Sequence, residues 1–246
     1  IPIATPMGKR PRIQGKRATR GVGLVPVLRA GGRSCSLPGM DKLLQRTFLH
    51  IPGIGETTER KIWGMGVSDW HSFIEAHGRG LFERRKIQHC ADDVKRSVDE
   101  YAAGHWTFFD KALPSHHKWR AFGEFPDRAL YVDIETTGMG PENEITVIGT
   151  YDGKEAKAFI AGINLEKAVE EIEQYPVVVT FNGAAFDMPI IRNHFRYNLF
   201  NHVHIDLRFP LKNIGYTGGL KIIEAKLGLD RSDRTRGLDG WDAVRL

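Results

Sequence analysis

The sequence predicts a mixed α/β domain that follows a small all-helical domain. Three apolar segments, residues 128–135, 144–151 and 154–160, succeed one another with only turn-like residues between them. Later strands are predicted at 176–181 and 202–207, each preceded by a stretch with helical periodicity. Successive hairpins followed by helical crossovers give antiparallel and parallel neighbours in one sheet, so we expect a mixed sheet flanked by helices.

The composition sets limits on class and compartment. With 246 residues and 41% apolar residues, the chain can form one large domain or two smaller ones with a real core. It contains no run of about 18 apolar residues, so we expect no membrane span and no membrane partner. Cys35 and Cys90 form neither a disulfide framework nor a metal-binding spacing, which predicts a reducing, cytoplasmic setting.

The positive charge is concentrated at the start of the chain. Residues 1–39 contain eight basic residues and no acidic ones, which leaves the remainder with a net charge of −3. Their Gly and Pro content without periodicity predicts a disordered basic tail, able to bind phosphates non-specifically. Met40 directly precedes the first patterned sequence and is a candidate natural start. The high pI therefore does not indicate that the folded part binds nucleic acid.

The remaining chain divides into three predicted segments. Residues 40–112 form the helical domain, 113–127 form a linker, and 128–246 form the α/β domain. Two adjacent histidines in the linker, His116 and His117, are either a metal-binding pair or part of a solvated loop.

A tight turn in the helical domain resembles a helix-hairpin-helix element. Gly53, Ile54 and Gly55 form this turn, and Thr57 or Thr58 is the expected N-cap of the next helix. In that family the glycines allow close approach to a nucleic-acid backbone, and free N–H groups at the start of the helix bind a phosphate. The alternative is a helical hairpin used only for packing.

Two acids lie on the first predicted strand. Asp133 and Glu135 are two residues apart, so their side chains share one face while Val132 and Ile134 point into a core. The two carboxylates repel each other, and a divalent cation with a preference for oxygen, Mg²⁺ or Mn²⁺, would relieve that repulsion. The alternative is an edge strand carrying two solvated acids.

A third acid follows the buried strand at 176–181. The chain turns through Asn182 and Gly183 and delivers Asp187 near the start of a helix. Functional groups in open α/β sheets collect at the ends of strands, so Asp187 could complete the cation site. On its own, it could equally be an acid placed to suit the helix dipole.

These two motifs resemble a known family. The sequences D-I-E-T-T-G and F-N-G-x-x-F-D-x-P look like the first two signatures of the DEDD, DnaQ-like 3′–5′ exonucleases of the ribonuclease H-like superfamily. The YprB-like domain is the more similar group. The resemblance covers about residues 119–246, including the stretches 204–208 and 218–224.

The resemblance implies a fold and a mechanism. It implies a mixed five-stranded sheet, with Asp133, Glu135 and Asp187 ligating two Mg²⁺ or Mn²⁺ ions. One ion would activate a water molecule, and the other would stabilise the leaving 3′ oxygen. The implied substrate is DNA or RNA with a single-stranded 3′ end; the sequence does not identify any protein partner.

The resemblance also implies which residues contact that substrate. Asn182 and the backbone of Thr136 would hold the terminal nucleotide. Lys221 or Arg208 would contact phosphate.

One feature departs from the family. Its last signature supplies a fourth metal-binding aspartate after a tyrosine or histidine. Asp206 lies four residues after His202 and is a candidate, although this spacing could be accidental. In the YprB-like pattern the fourth acid follows the stretch 240–246, so we expect the domain to be incomplete at its C-terminus.

Two other functions remain possible at this point. The first is a catalytically silent nucleic-acid-binding protein that uses the hairpin and an incomplete nuclease fold. The second is an endonuclease of the ribonuclease H or resolvase type, which the paired acids on the first strand disfavour.

Overall fold

The computed structural model of the chain describes residues 42–82, 87–138, 144–197 and 200–229. The α-helices in these ranges are α1 Leu43–Arg46, α2 Glu56–Gly64, α3 Trp70–Gly78, α4 Ala91–Ala102, α5 Trp106–Ala112, α6 Arg120–Glu124, α7 Lys167–Glu173, α8 Asp187–Phe195, α9 Arg208–Asn213 and α10 Leu220–Lys226. The strands are β1 Ala129–Thr136, β2 Ile145–Tyr151, β3 Ala156–Ile160, β4 Val177–Thr180 and β5 Val203–Asp206. No helix in the described part of the chain is long and apolar enough to cross a membrane.

The strands form one five-stranded sheet in the order β3-β2-β1-β4-β5. β1 pairs antiparallel with β2, and β2 with β3, whereas β1, β4 and β5 run parallel. The β2–β3 hairpin closes because the Asp152 carboxylate accepts the N–H groups of Lys154 and Glu155, at 2.8 and 2.7 Å, and Gly153 adopts a φ of +93°. The predicted mixed sheet with flanking helices is confirmed.

The helical segment before the sheet follows local capping signals. Asp69 caps α3 through a capping box with Ser72, in which each side chain bonds the other residue's backbone. α2 begins at Glu56 with Gly55 as its N-cap. The prediction that Thr57 or Thr58 caps this helix is therefore wrong. Gly55 can take the extended N-cap conformation without a side chain, so the helix starts directly after the turn.

Two hydrophobic cores lie on opposite faces of the sheet. The first joins the helices before the sheet to the β4 and β5 residues of one face, with Phe48, Trp70, Phe73, Phe109, Val177, Val179, Val203 and Ile205 among its members. The second packs α7 and α8 on the other face and includes Leu130, Val132, Ile148, Ile172, Met188 and Ile191. The sheet is thus covered on both faces, which explains the continuous apolar run of β4.

The segment predicted as a linker is largely structured. Residues 115–117 form a 3₁₀ turn, α6 follows, and residues 126–128 form a second 3₁₀ turn leading into β1. Ala121 is fully buried in the first core, and Phe122 and Phe125 pack against it. The segment therefore contributes to the core that unites the helices with the sheet.

The outer edge of β5 is covered by α5. The His204 N–H donates to the Asp110 carboxylate at 2.8 Å, and Lys118 pairs with the same carboxylate at 2.6 Å. At the start of α5, Thr107 bonds both the Phe200 carbonyl and the Asn201 side chain. These contacts satisfy edge groups that would otherwise be open to pairing with another strand.

A buried ion pair joins α2 to α6. The Glu59 carboxylate accepts the Thr47 hydroxyl and the Phe48 N–H, each at 2.7 Å, and Arg120 binds both of its oxygens at 3.0 Å. The Glu59 side chain is 1% exposed and that of Arg120 is 12% exposed. The Arg120 guanidinium supplies the positive charge that compensates this carboxylate in the core.

We expect Arg120→Ala to lower the free energy of unfolding by about 3–5 kcal/mol, because it leaves a buried carboxylate unpaired. Urea denaturation would measure the loss. The control is Arg79→Ala, which removes an exposed pair with Glu75 and should cost about 0.5 kcal/mol or less. Equal effects of the two substitutions would contradict the role assigned to the buried pair.

Candidate active site

Acidic side chains lie at the carboxyl ends of all three parallel strands. Asp133 and Glu135 are near the end of β1, Asp187 begins the helix after β4, and Asp206 is the last residue of β5. Parallel strands bring these ends to one edge of the sheet, where open α/β sheets generally place their sites.

The pair on β1 shares one face of the sheet, as the strand pattern predicts. Val132 and Ile134 point into the second core, so Asp133 and Glu135 point to the opposite face with Tyr131. Asp133 is exposed and Glu135 is half-buried. The helices that cover this face therefore leave its carboxyl end open at the two acids.

Asp187 is held against β1 by a backbone hydrogen bond. The β1–β4 pairing ends at Tyr131, and beyond it the Ile134 N–H donates to the Asp187 Oδ1 atom at 3.2 Å. Asp187 is 4% exposed. Ile134 lies between Asp133 and Glu135 in sequence, so this bond places the third carboxylate beside the strand segment that carries the other two.

The electrostatics of the three acids are unfavourable for ionisation. Burial, and then the charge of Asp133, raise the pKa of Asp187 to about 7. Burial also raises the pKa of Asp133, and burial together with Asp133 raises that of Glu135. Asp133 is exposed, so burial disfavours its ionised form less than it disfavours that of the buried Asp187.

The described Lys, Arg and His side chains form no ion pair with these three acids. Uncompensated carboxylates at one place are costly, and a divalent cation would remove both the repulsion and the rise in pKa. The donor set consists of oxygen atoms alone, which fits Mg²⁺ or Mn²⁺.

The loop between β4 and α8 is anchored by Asp206. Its carboxylate accepts the N–H groups of Asn182, Ala184 and Arg208 at 2.8, 3.1 and 3.0 Å. Both oxygens are thus occupied by backbone donors. Asp206 therefore fixes the loop, and its assignment as a fourth metal ligand stays a prediction.

The same loop requires a glycine for steric reasons. A Cβ atom on Gly183 would lie 2.3 Å from the Thr180 hydroxyl oxygen, which itself accepts the Gly183 N–H. Asn182 has a φ of +67°, and its Oδ1 atom accepts a hydrogen bond from Arg208. Arg208 is exposed and is oriented by this contact at the same edge of the sheet.

Among the other predicted contact residues, Thr136 directly follows Glu135, whereas Lys221 and the hairpin residues are distant from the three acids in sequence. Thr136 donates its hydroxyl to the Gly138 carbonyl at 2.7 Å, and Lys221 is exposed on α10. In the hairpin, Gly53 has a φ of +82° and is exposed together with Gly55. Ile54 is 4% exposed and donates its N–H to the Ile51 carbonyl. Ile54 thus packs inward and holds the turn, which leaves the glycines at the surface.

The structure also groups the two adjacent histidines with a glutamate that the sequence analysis did not connect to them. Glu56, His116 and His117 offer ligand atoms within 4.8 Å of one another. The adjacent histidines were apparent, but Glu56 lies 60 residues away, and only the packing of α2 on the linker brings it to them.

A family model matches the part of the chain that contains the sheet. Residues 130–246 match the model of the RNase H superfamily. The mixed five-stranded sheet is consistent with a ribonuclease H-like fold. Ribonuclease H-like nuclease domains generally use divalent metal ions.

The terminal segment 230–246, including the stretch expected to precede the fourth acid, lies outside the described residues, as does the basic tail 1–39.

A solved structure also shows similarity. It is that of the family B DNA polymerase from the hyperthermophilic archaeon Pyrobaculum calidifontis, with 16% identity and a TM-score of 0.37. The match covers 46% of this chain and 20% of the polymerase chain. No curated protein matches the chain significantly.

We expect Asp187→Asn to stabilise the metal-free protein above neutral pH. The folded-state pKa of about 7 exceeds the ordinary value of 3.8, so the folded state loses stability as the pH rises between these values. Asparagine keeps the acceptor for Ile134 and cannot ionise. In chelator at pH 8 the gain should be about 1–3 kcal/mol, and it should vanish near pH 4.

Thermal denaturation across this pH range measures the effect, with the exposed Asp127→Asn as the control. Added Mn²⁺ should stabilise the wild type and not Asp187→Asn. If the variant were less stable than the wild type at pH 8 without metal, the electrostatic account of the site would be wrong.

Proposed function

We propose that the chain is a metal-dependent 3′–5′ exonuclease that hydrolyses phosphodiester bonds of DNA or RNA. The observation that supports it is the approach of Asp187 to the β1 segment bearing Asp133 and Glu135, without a described basic partner. These three residues would hold two Mg²⁺ or Mn²⁺ ions. When bound, the ions would supply an activated water molecule and neutralise negative charge on the reacting phosphate.

The protein contributes orientation and a restricted environment. The Ile134 N–H fixes one oxygen of Asp187, so this carboxylate does not need to reorganise when its charge is compensated. Asp133 lies at the open end of the face, where a nucleic-acid end can enter. Glu135 is half-buried and shares this face with Asp133.

The substrate would be positioned from the β4–α8 loop. Asn182 orients the exposed Arg208 guanidinium, which is suited to bind a phosphate oxygen of the terminal nucleotide. Thr136 would act through its backbone, since its hydroxyl already donates to Gly138. Lys221 remains a proposed phosphate contact on α10.

We expect Asp133→Asn to abolish Mg²⁺- or Mn²⁺-dependent shortening of single-stranded DNA or RNA, because it removes an ionic ligand and leaves the shape of the site unchanged. A 5′-labelled strand should shorten stepwise from its 3′ end with the wild type. Asp127→Asn should retain this activity.

The products distinguish the possible outcomes. Internal fragments from circular strands would identify an endonuclease and exclude the exonuclease proposal. Shortening that persists in Asp133→Asn would show that the carboxylate site does not perform the reaction.

A second candidate function is nucleic-acid binding without cleavage. It is favoured by the hairpin, where Gly53 and Gly55 are exposed immediately before the N-terminus of α2. Such a helix start presents unpaired N–H groups that can bind a phosphate.

We expect Gly55→Ala to weaken nucleic-acid binding severalfold if the hairpin contacts the backbone, because its Cβ would separate the turn from the phosphate. That Cβ meets no atom within 4 Å, and the residue has a φ of −98°, so the substitution introduces neither a clash nor backbone strain. Fluorescence anisotropy at low salt would measure affinity, and Gly64→Ala, also unhindered, is the control. Unchanged affinity with Gly55→Ala would favour a hairpin used only for packing.

A further inference from the structure

We propose a second metal site, separate from the carboxylates of the sheet, that binds a late first-row divalent ion such as Zn²⁺, Co²⁺ or Ni²⁺. Its ligands are Glu56, His116 and His117. The Glu56 Oε1 atom lies 2.9 Å from the His117 Nε2 atom and 3.6 Å from the His116 Nε2 atom. All three ligand atoms lie within 4.8 Å of one another.

These separations suit a single small ion. With bonds of about 2.0–2.1 Å, two ligands of a tetrahedral zinc ion are roughly 3.3 Å apart. The observed distances bracket that value, so small side-chain rotations would admit the ion. Two imidazoles with one carboxylate favour zinc and its neighbours over Mg²⁺, which prefers oxygen ligands alone.

The backbone already holds the three ligands in place. Glu56 and Glu59 are one turn apart on α2, and His117 and Arg120 are three residues apart in the segment that contacts it. The Glu59–Arg120 pair ties these two elements together in the core. The ligands are therefore brought together by an interaction that does not involve a metal, which lowers the entropic cost of binding an ion.

Two of the three ligands are accessible from solvent. The Glu56 and His116 side chains are 54% and 40% exposed, which gives an ion a path of entry and an open coordination position. Three protein ligands and an open position would allow an outside ligand, including a phosphate, to bind the ion.

The support around His117 sets a limit on affinity. Its Nδ1 atom is buried and has no hydrogen-bond partner among the described residues. Metal-binding histidines usually donate this N–H to an acceptor, and loss of that bond weakens binding by about 10–100-fold. We therefore infer an accessory site that fastens α2 to the segment before the sheet, with weaker binding than a structural zinc centre.

The test is a zinc titration of the chelator-stripped full chain, with a colorimetric zinc chelator as competitor and excess Mg²⁺ present to occupy the carboxylates of the sheet. The wild type should bind an equivalent of Zn²⁺ that Glu56→Gln and His116→Ala lose. Both substituted side chains are partly exposed, so these variants should fold. Circular dichroism would confirm this before titration.

The matched control is His105→Ala. His105 forms a comparable 2.9 Å pair with Glu100, without a second histidine, and its loss should not change zinc binding. Bound Co²⁺ should give visible bands typical of tetrahedral coordination in the wild type and the control, and not in Glu56→Gln. Equal zinc binding in all four proteins would overturn the proposal, whether or not the chain cleaves nucleic acid.

Discussion

The hydrogen bond from the Ile134 N–H to Asp187 links the sheet to the candidate site. It lies just beyond Tyr131, where the β1–β4 pairing ends, so the Asp187 carboxylate gives the Ile134 N–H an acceptor that β4 does not provide. The acceptor belongs to the first residue of α8. This bond therefore fixes the start of α8 against β1. It also brings Asp187 close to Asp133 and Glu135, which are more than 50 residues away in sequence.

The candidate site contains a buried carboxylate, Asp187, whose ionised form is disfavoured by burial and by the neighbouring acids. Asp187 is nearly fully buried beside other acids, whereas Glu59, buried to a similar degree, is matched by Arg120. The difference shows that this chain can compensate a buried carboxylate with its own side chains. Unmatched charge at the strand ends is the pattern expected where compensation comes from a bound ion.

The sequence predicted those features that depend on neighbours in the chain. Alternation identified β1 and the shared face of Asp133 and Glu135, and the apolar run identified β4 as a strand buried on both faces. The start of α2 was misplaced because a glycine N-cap carries no side-chain signal. The role of Asp206 and the grouping of Glu56 with the two histidines depend on long-range packing, which leaves no local pattern.

The shared core has a consequence for whether the sheet and its own helices could fold alone. Val177, Val179, Val203 and Ile205 are covered by helices that precede the sheet, and α5 shields the rim of β5. A fragment starting at β1 would expose the apolar face of the sheet and unpaired backbone N–H and C=O groups at the β5 edge. Both features promote self-association. The preceding helices therefore share one hydrophobic core with the sheet and cover one of its faces.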